Sequence, residues 1–598
     1  MGIHRIARAL AASAIAATLV GREEVAMVLS RSRVLALIGA LALLAHAMPV
    51  GAVSTDTFID FGNNKHLFSQ SKVYEPLVAI DPMHPDILAA GVNSNVDYEA
   101  CNAGDPTSCT FTDGVGGAGI SFSTDRGATW TAPTYTGYTA RDCLGPAECV
   151  PNPNGPIGTL PWYYENGLVS VGDPALAFGP RPDARGHFSW QNGSRLYYAD
   201  LAFAFPGSPA FKGLSALTVS RTDDVAGAMA GTKSAWMAPV IATKQNATSF
   251  NDKDQLWVDN AASSPFFGNV YVCNTGFRGN GQGGATPAPV LFARSIDGGN
   301  SWSSSQLSAA TNNSQTGGRQ ACVIRTTSDG VVVLIWSGRS DTVVTNSAVI
   351  YESRSFDGGV SFEKPRAVAT ATSIGQVDPD QGTFTIDGVA GARTWNAPSI
   401  DIANGAPTGA GATNRIVVAW SDDRNGPNQE QGWLIASTNK GGTYGSAQGF
   451  GRSGDRVNQP AVAISPDGAD VYVVYNAYLD PWRSTTADPR RTLGVVRHAA
   501  WSSLGTWTTL HTGAIADARG STANAIDSGF LGDYNSAWAT NSGLYAAWTD
   551  PRDTSVCAAV NEWRQSLIDG SPTAKPAVQA DCADTFGATS IYGGWYTP

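Results

Sequence analysis

Ser295-Ile296-Asp297-Gly298-Gly299-Asn300-Ser301-Trp302 is the stretch whose reading decides the fold. Its pattern, Ser-x-Asp-x-Gly-x-Ser/Thr-aromatic, returns as Ser123-Thr124-Asp125-Arg126-Gly127-Ala128-Thr129-Trp130 and as Ser355-Phe356-Asp357-Gly358-Gly359-Val360-Ser361-Phe362. A fourth copy, Ser437-Thr438-Asn439-Lys440-Gly441-Gly442-Thr443-Tyr444, carries Asn in place of Asp. Each copy has the chemistry of a tight hairpin turn. A short Asp or Asn side chain accepts hydrogen bonds from the N–H groups of its own turn, and Gly supplies positive φ. The Ser/Thr hydroxyl ties down the far side, and the terminal aromatic packs back onto the sheet. Several copies in one chain point to a repeat architecture.

Working outward, a second pattern runs out of phase with the octets: an apolar strand, a turn, and a strand ending in aromatics. It begins at residues 74–80 and recurs as 172–178 with 195–198, 254–259 with 269–272, and 319–324 with 331–336. It recurs again as 396–400 with 415–420, 458–464 with 470–475, and 532–538 with 544–548. Such runs, bounded by Pro, Asp and Gly, read as buried hairpins. An octet follows the first, third, fourth and fifth. After the second stands a degraded turn at Asp223 and Asp224, and after the sixth there is none. The repeat unit is therefore four strands, an inner hairpin and an outer one. The expected fold is all-β, a single β-propeller of four-stranded blades over residues 53–598. Seven blades are favoured, with six left open. The last blade is expected to take outer strands from 556–568, closed by an N-terminal strand near 58–60.

The 598 residues carry a net charge of −11 and only 15% charged side chains, which argues against a nucleic-acid partner. Residues 1–52 read as an N-terminal extension and signal peptide. Arg31 and Arg33 precede an apolar run from Val34 to Ala47, Val50-Gly51-Ala52 suits signal peptidase, and Met27 is the expected start. The mature protein is then secreted or periplasmic, with no membrane attachment. The eight cysteines fit that compartment. The expected pairs are Cys101–Cys109, Cys143–Cys149, Cys273–Cys322 and Cys557–Cys582.

In a propeller the starts of the innermost strands and the loops after the second strands share one face, and the octets lie on the other. The inner-strand starts place Glu75, Asp173, Asp252, Asp254, Arg319, Gln320, Asn396, Asn458, Gln459, Asp533 and Tyr534 around one mouth. The loops repeat an arginine: Arg278, Arg339, Arg424, Arg483 and Arg552. Arginine grips a carboxylate with a planar fork, so such a mouth suits an anionic group. Pairing with Asp422, Asp423, Asp550 or Asp553 in the same loops is the competing reading.

The octets are Asp-boxes, and their repetition resembles the sialidase-like β-propeller superfamily over essentially the whole mature chain. Most sialidases have six blades. The resemblance implies a glycoside hydrolase that releases terminal sialic acid or a related acidic sugar. It implies Tyr534 as nucleophile, Glu75 as its partner and Asp173 as acid, with the substrate carboxylate held by Arg319, Arg339 and Arg552; Arg278, Arg424 and Asp533 are further substrate-binding candidates from their place at the mouth. The sequence departs from that family where an Arg-Ile-Pro motif is usual, since Tyr74-Glu75-Pro76 stands there. A polysaccharide lyase, another carbohydrate-active enzyme, and a glycan- or protein-binding propeller are the alternatives. No cofactor is required by this chemistry. A Ca²⁺ ion among Asp173, Asp252, Asp254 and Asp533 is a further reading of the acidic mouth.

Overall fold

The computed structural model describes residues 55–98, 112–143, 148–243, 249–278, 288–308, 319–339 and 347–598. Segment 1–52 and the Cys101–Cys109 pair lie outside them. From Ser54 to Pro598 the chain forms one compact unit. Seven sheets make the seven blades of a propeller. Their innermost strands, A, are Val73–Ile80, Leu168–Pro182, Ser249–Val258, Arg319–Thr326, Ser399–Ile402, Arg456–Ile464 and Ser536–Thr540. Strands B, C and D follow outward in antiparallel order. Blade 1 has three strands, and a bridge between Phe122 and Thr131 stands in place of its fourth. Blade 6 gains a short extra strand, Ala516–Asp517. The seventh hairpin is thus a true blade, and the chain departs from the six-bladed plan.

The core is divided among seven apolar wedges, one between each pair of neighbouring blades. Phe122, Leu176 and Tyr198 meet between blades 1 and 2, and Val258, Val272 and Leu217 between blades 2 and 3. Ile59, Val92 and Tyr545 fill the wedge between blades 7 and 1. Alternation along each strand supplies one side chain to each neighbouring wedge, so both faces of every blade are buried.

The octets work as turns and as latches. Asp297 Oδ1 accepts from the N–H groups of Asn300 (3.0 Å) and Ser301 (2.9 Å), and its Oδ2 accepts from Ser301 Oγ (2.6 Å). In the worn copy Asn439 Oδ1 accepts from Thr443 N at 2.8 Å, while its Nδ2 donates to Thr443 Oγ1 at 3.0 Å. Each octet then docks on the preceding blade. Arg195 donates to Gly298 O (2.9 Å), Arg294 to Gly358 O (3.2 Å) and Arg354 to Lys440 O (3.1 Å). The blade-1 octet docks on blade 7, where Trp130 Nε1 donates to Tyr545 OH at 3.1 Å. A Cβ at Gly127 (φ 80°) would stand 2.1 Å from the Tyr545 ring, so that contact requires glycine. In blade 2, Asp224 caps the helix Val225–Met229 and Asp223 pairs with Arg195 at 2.7 Å.

Blade 7 is built from both ends of the described chain. Strand Thr57–Ile59 pairs antiparallel with Ser590–Tyr596, which lies beside Gly543–Asp550. The N-terminal closing strand is where the sequence placed it. The outer strands expected at 556–568 are not: Ala558–Ile568 is a helix, and the third strand of the blade comes from the C-terminus. The run Ala-Ala-Val-Asn-Glu-Trp-Arg-Gln-Ser-Leu-Ile lacks strand alternation, and spacing near 3.6 puts Val560, Trp563 and Arg564 on a buried face. Disulfides Cys143–Cys149, Cys273–Cys322 and Cys557–Cys582 are formed, and the second crosslinks blades 3 and 4. Among the described residues no helix is long and apolar enough to cross a membrane.

Two outcomes follow for stability. Asp297→Asn, which copies the natural Asn439 turn, should cost less than about 1 kcal/mol, and Asp297→Ala about 2 kcal/mol, because the turn N–H groups lose their acceptor. Ile59 is fully buried, so Ile59→Ala should cost about 2–4 kcal/mol in denaturant unfolding.

Candidate active site

The mouth of the central channel is built by one repeated backbone device. Strand A slips register at Tyr74/Leu77, Gly172/Ala175, Asp252/Gln255, Gln320/Val323 and Asn458/Ala461. These are β-bulges, and each holds one non-glycine residue at positive φ: Glu75 (60°), Asp173 (53°), Lys253 (55°), Ala321 (52°) and Gln459 (52°). Pro76, Pro174 and Pro460 come next in the chain; with no N–H to place in the ladder, proline tolerates the gap. Such backbone strain, about 1–2 kcal/mol per residue, clusters at functional sites. Here it brings Glu75, Asp173 and Lys253 of three blades together at the mouth.

Lys253 is the hub. Its side chain is 10% exposed, and Nζ lies 2.6 Å from Asp533 Oδ2, 3.6 Å from Asp173 Oδ2, 3.9 Å from Glu75 Oε1 and 4.0 Å from Asp252 Oδ1. Arg393, on the loop before blade 5, adds a bidentate pair to Asp533 at 3.1 and 2.6 Å. Asn93 donates to Glu75, and its Oδ1 accepts from Asp173 N at 2.6 Å. The structure brings Glu75, Asp173, Asp533 and Tyr534 of the sequence reading together, and adds Lys253, Asn93 and Arg393, which that reading did not name. Lys253 was legible in principle, because it takes the bulge position when the repeats are aligned. Its acidic neighbours Asp252 and Asp254 drew the reading instead.

The ammonium divides the carboxyls into two kinds. Burial opposes the ionisation of Asp173, but Lys253 overrides it and holds that carboxyl below its ordinary range. Burial is likewise outweighed at Asp533, where Lys253 and Arg393 act together. Burial pushes Glu75 and Asp254 well up. Burial, and then the Asp173 carboxylate, push Asp252 up to about 7 against the pull of Lys253. Asp252 and Asp173 both accept from the Lys253 backbone N–H, at 2.9 and 3.1 Å. Tyr534 OH and both Asp254 oxygens are buried without a hydrogen-bond partner among the described residues. Burial and the surrounding carboxyls raise the Tyr534 hydroxyl well above its usual range.

The calcium reading does not fit this geometry. A lysine ammonium occupies the centre of the carboxylate ring, and among the described residues no group of three or more ligands is arranged for a metal. Arg424 and Arg552 sit at blade rims rather than at the mouth. Arg424 is paired with Asp422 and donates to Thr370 O in the outermost strand of blade 4 at 2.9 Å. Arg552 bridges Asp550 and Asp56 at 2.6 Å each, beside the closing strand of blade 7. Both follow the ion-pair reading of these loops. The side chains of Arg278, Arg319 and Arg339 lie outside the described residues.

No protein-family model matches the chain, and no curated protein matches it. Among solved structures it is similar to an α-L-arabinanase of Penicillium chrysogenum complexed with arabinobiose, at 9% identity, TM-score 0.37, over 71% of this chain and 98% of that one. It is similar to an α-L-arabinofuranosidase of Fusarium graminearum at 11% identity, TM-score 0.37, over 73% and 95% of the two chains. It is also similar to the leech intramolecular trans-sialidase at 12% identity, TM-score 0.37, over 71% and 67%.

Lys253→Met should remove the charge that keeps Asp173 and Asp533 ionised. Loss of one partner from a buried ion cluster costs about 3–5 kcal/mol. The depressed carboxyls contribute stability above their unfolded pKa and lose it as pH falls. The deficit of the variant should therefore be larger at pH 8 than at pH 4, as read by urea unfolding at both.

Proposed function

We propose that the protein is a secreted glycoside hydrolase whose chemistry runs on the channel-mouth carboxyls. The observation that carries this reading is two unlike carboxyls beside one ammonium: Lys253 Nζ lies 3.6 Å from Asp173, held below its ordinary range, and 4.0 Å from Asp252, pushed up to about 7. Glycoside hydrolysis needs one carboxyl to protonate the leaving oxygen and one carboxylate to act as base or nucleophile. Asp252, poised near neutrality, and Glu75, held protonated, suit the acid role. Asp173, named by the resemblance as the acid, suits the base or nucleophile role instead, because Lys253 keeps it ionised. The two cations described at the mouth, Lys253 and Arg393, are both spent on Asp533, which favours a neutral sugar in the reacting position.

The sialidase reading remains the second, on one observation: Tyr534 OH is unpartnered and lies near Asp173, Glu75 and Asp254. A tyrosine nucleophile would have to lose its proton, and these carboxyls raise the cost of doing so. The anionic substrate would have to be held by Arg319, Arg339 and Arg278.

Hydrolysis of neutral aryl glycosides should fall as pH rises through about 7, where Asp252 loses its proton. Asp252→Asn should lower kcat about 10²–10⁴-fold, and less for aryl leaving groups that need no protonation. Release from aryl sialosides alone, abolished by Tyr534→Phe and Arg319→Ala, would establish the sialidase reading. Unsaturated products absorbing in the near ultraviolet would establish a lyase. No release from any substrate above the level of Asp173→Asn would leave a binding propeller.

A further inference from the structure

The central channel has two chambers. Below the mouth, Asp533, Tyr534 and Gln459 open into a cavity of about 80 Å³ that ends on Trp257, Trp538 and Arg325. The same three side chains form the inner end of a second cavity, of about 360 Å³, at the opposite face of the propeller. The two indoles pack at 5.4 Å with planes tilted 30°, and the Arg325 guanidinium lies 4.3 Å over the Trp257 ring.

The second chamber has the size and lining of a ligand site. Small-molecule pockets run from about 300 to 1,000 Å³ and combine apolar walls with a few placed polar groups. Here the walls include Ile80, Pro82, Ile402 and Ile464 with the buried, mutually bonded Asn260 and Asn404, and the exposed Asn541 and Ser542 stand at the entrance. Among the described residues, Arg325 and Asp401 are the only charged side chains in the lining, and they pair at 3.1 Å. Arg325 Nη1 donates to Ile324 O at 2.8 Å, and Asp401 Oδ2 accepts from Ile464 N at 2.9 Å. Arg325 Nη2 has no partner among the described residues and stays free to donate. The chamber thus offers the partly exposed Trp538 indole, a guanidinium N–H group, and the Asn541 amide and Ser542 hydroxyl at the entrance, its one cation and one anion being paired.

We propose that this chamber binds a neutral sugar unit of monosaccharide size, apart from the channel-mouth site. The apolar C–H face of a pyranose or furanose ring packs on the partly exposed Trp538 indole, an aromatic surface with one wet side. Vicinal hydroxyls then take Arg325 Nη2 and the Asn541 and Ser542 side chains. An anionic sugar would have to compete with Asp401 for Arg325, so neutral sugars are preferred. The site stands whether or not the mouth is catalytic, because its residues, apart from the shared inner end, belong to the opposite face.

The test is calorimetric titration of the full protein with arabinose, galactose, glucose and N-acetylglucosamine, with sialic acid as the anionic control. At least one neutral sugar should bind saturably, with Kd below about 10 mM (about −2.7 kcal/mol). Ser542→Trp, which narrows the entrance, should weaken that binding at least tenfold and leave any glycosidase activity unchanged. Arg325→Met should weaken it too, and Asp173→Asn should not. No saturable binding by wild type would overturn the proposal. So would binding that survives Ser542→Trp but is lost in Asp173→Asn, or sialic acid binding as tightly as the neutral sugars.

Discussion

Closure of the ring is the constraint on which everything else depends. A propeller has no central core to fall back on: its apolar area lies in wedges between blades, and each wedge needs two walls. If blade 7 were incomplete, the wedge holding Ile59, Val92 and Tyr545 would open to water. That closure rests on a short strand, Thr57–Ile59, laid beside Ser590–Tyr596. The blade-1 octet adds Trp130 across the same seam, and Arg552 adds a bridge from Asp550 to Asp56. An arginine expected at the substrate is in this way a seam residue.

Once the ring is closed, the bulges on the inner strands acquire a meaning that none has alone. Each holds one residue at positive φ. The ring brings Glu75 and Asp173, from two other blades, within 4 Å of the Lys253 ammonium nitrogen. Few positions are so costly for charge, and few divide proton occupancy so sharply. An ammonium among carboxyls holds the nearest ones ionised, and burial keeps the rest protonated. That difference between chemically similar groups is the substance of the proposed acid–base pair.

Much of this was legible in the sequence. The octets, the hairpin count and the closing strand near 58–60 rest on local chemistry: turn glycines, alternation and side-chain acceptors. Glu75, Asp173, Asp533 and Tyr534 were legible because the repeat gives each blade the same address. The helix Ala558–Ile568 was misread because blade 7 was assumed to finish with nearby sequence, whereas the strand it needed comes from the far C-terminus. Lys253 was missed because a lysine between two aspartates reads locally as an acidic run. Arg424 and Arg552 were overvalued because loop position says which face a residue occupies, and nothing about how far it lies from the axis.

The sequence by itself determined the repeat, the turn that defines it and the face on which polar residues would gather. These follow from interactions within a few residues, and such interactions travel with the sequence. Only the tertiary structure decided which of those residues meet, where the protons sit among them, and that a second chamber lies beneath them. Those outcomes depend on distances between blades and on exclusion of water from a closed ring, and no single repeat contains either.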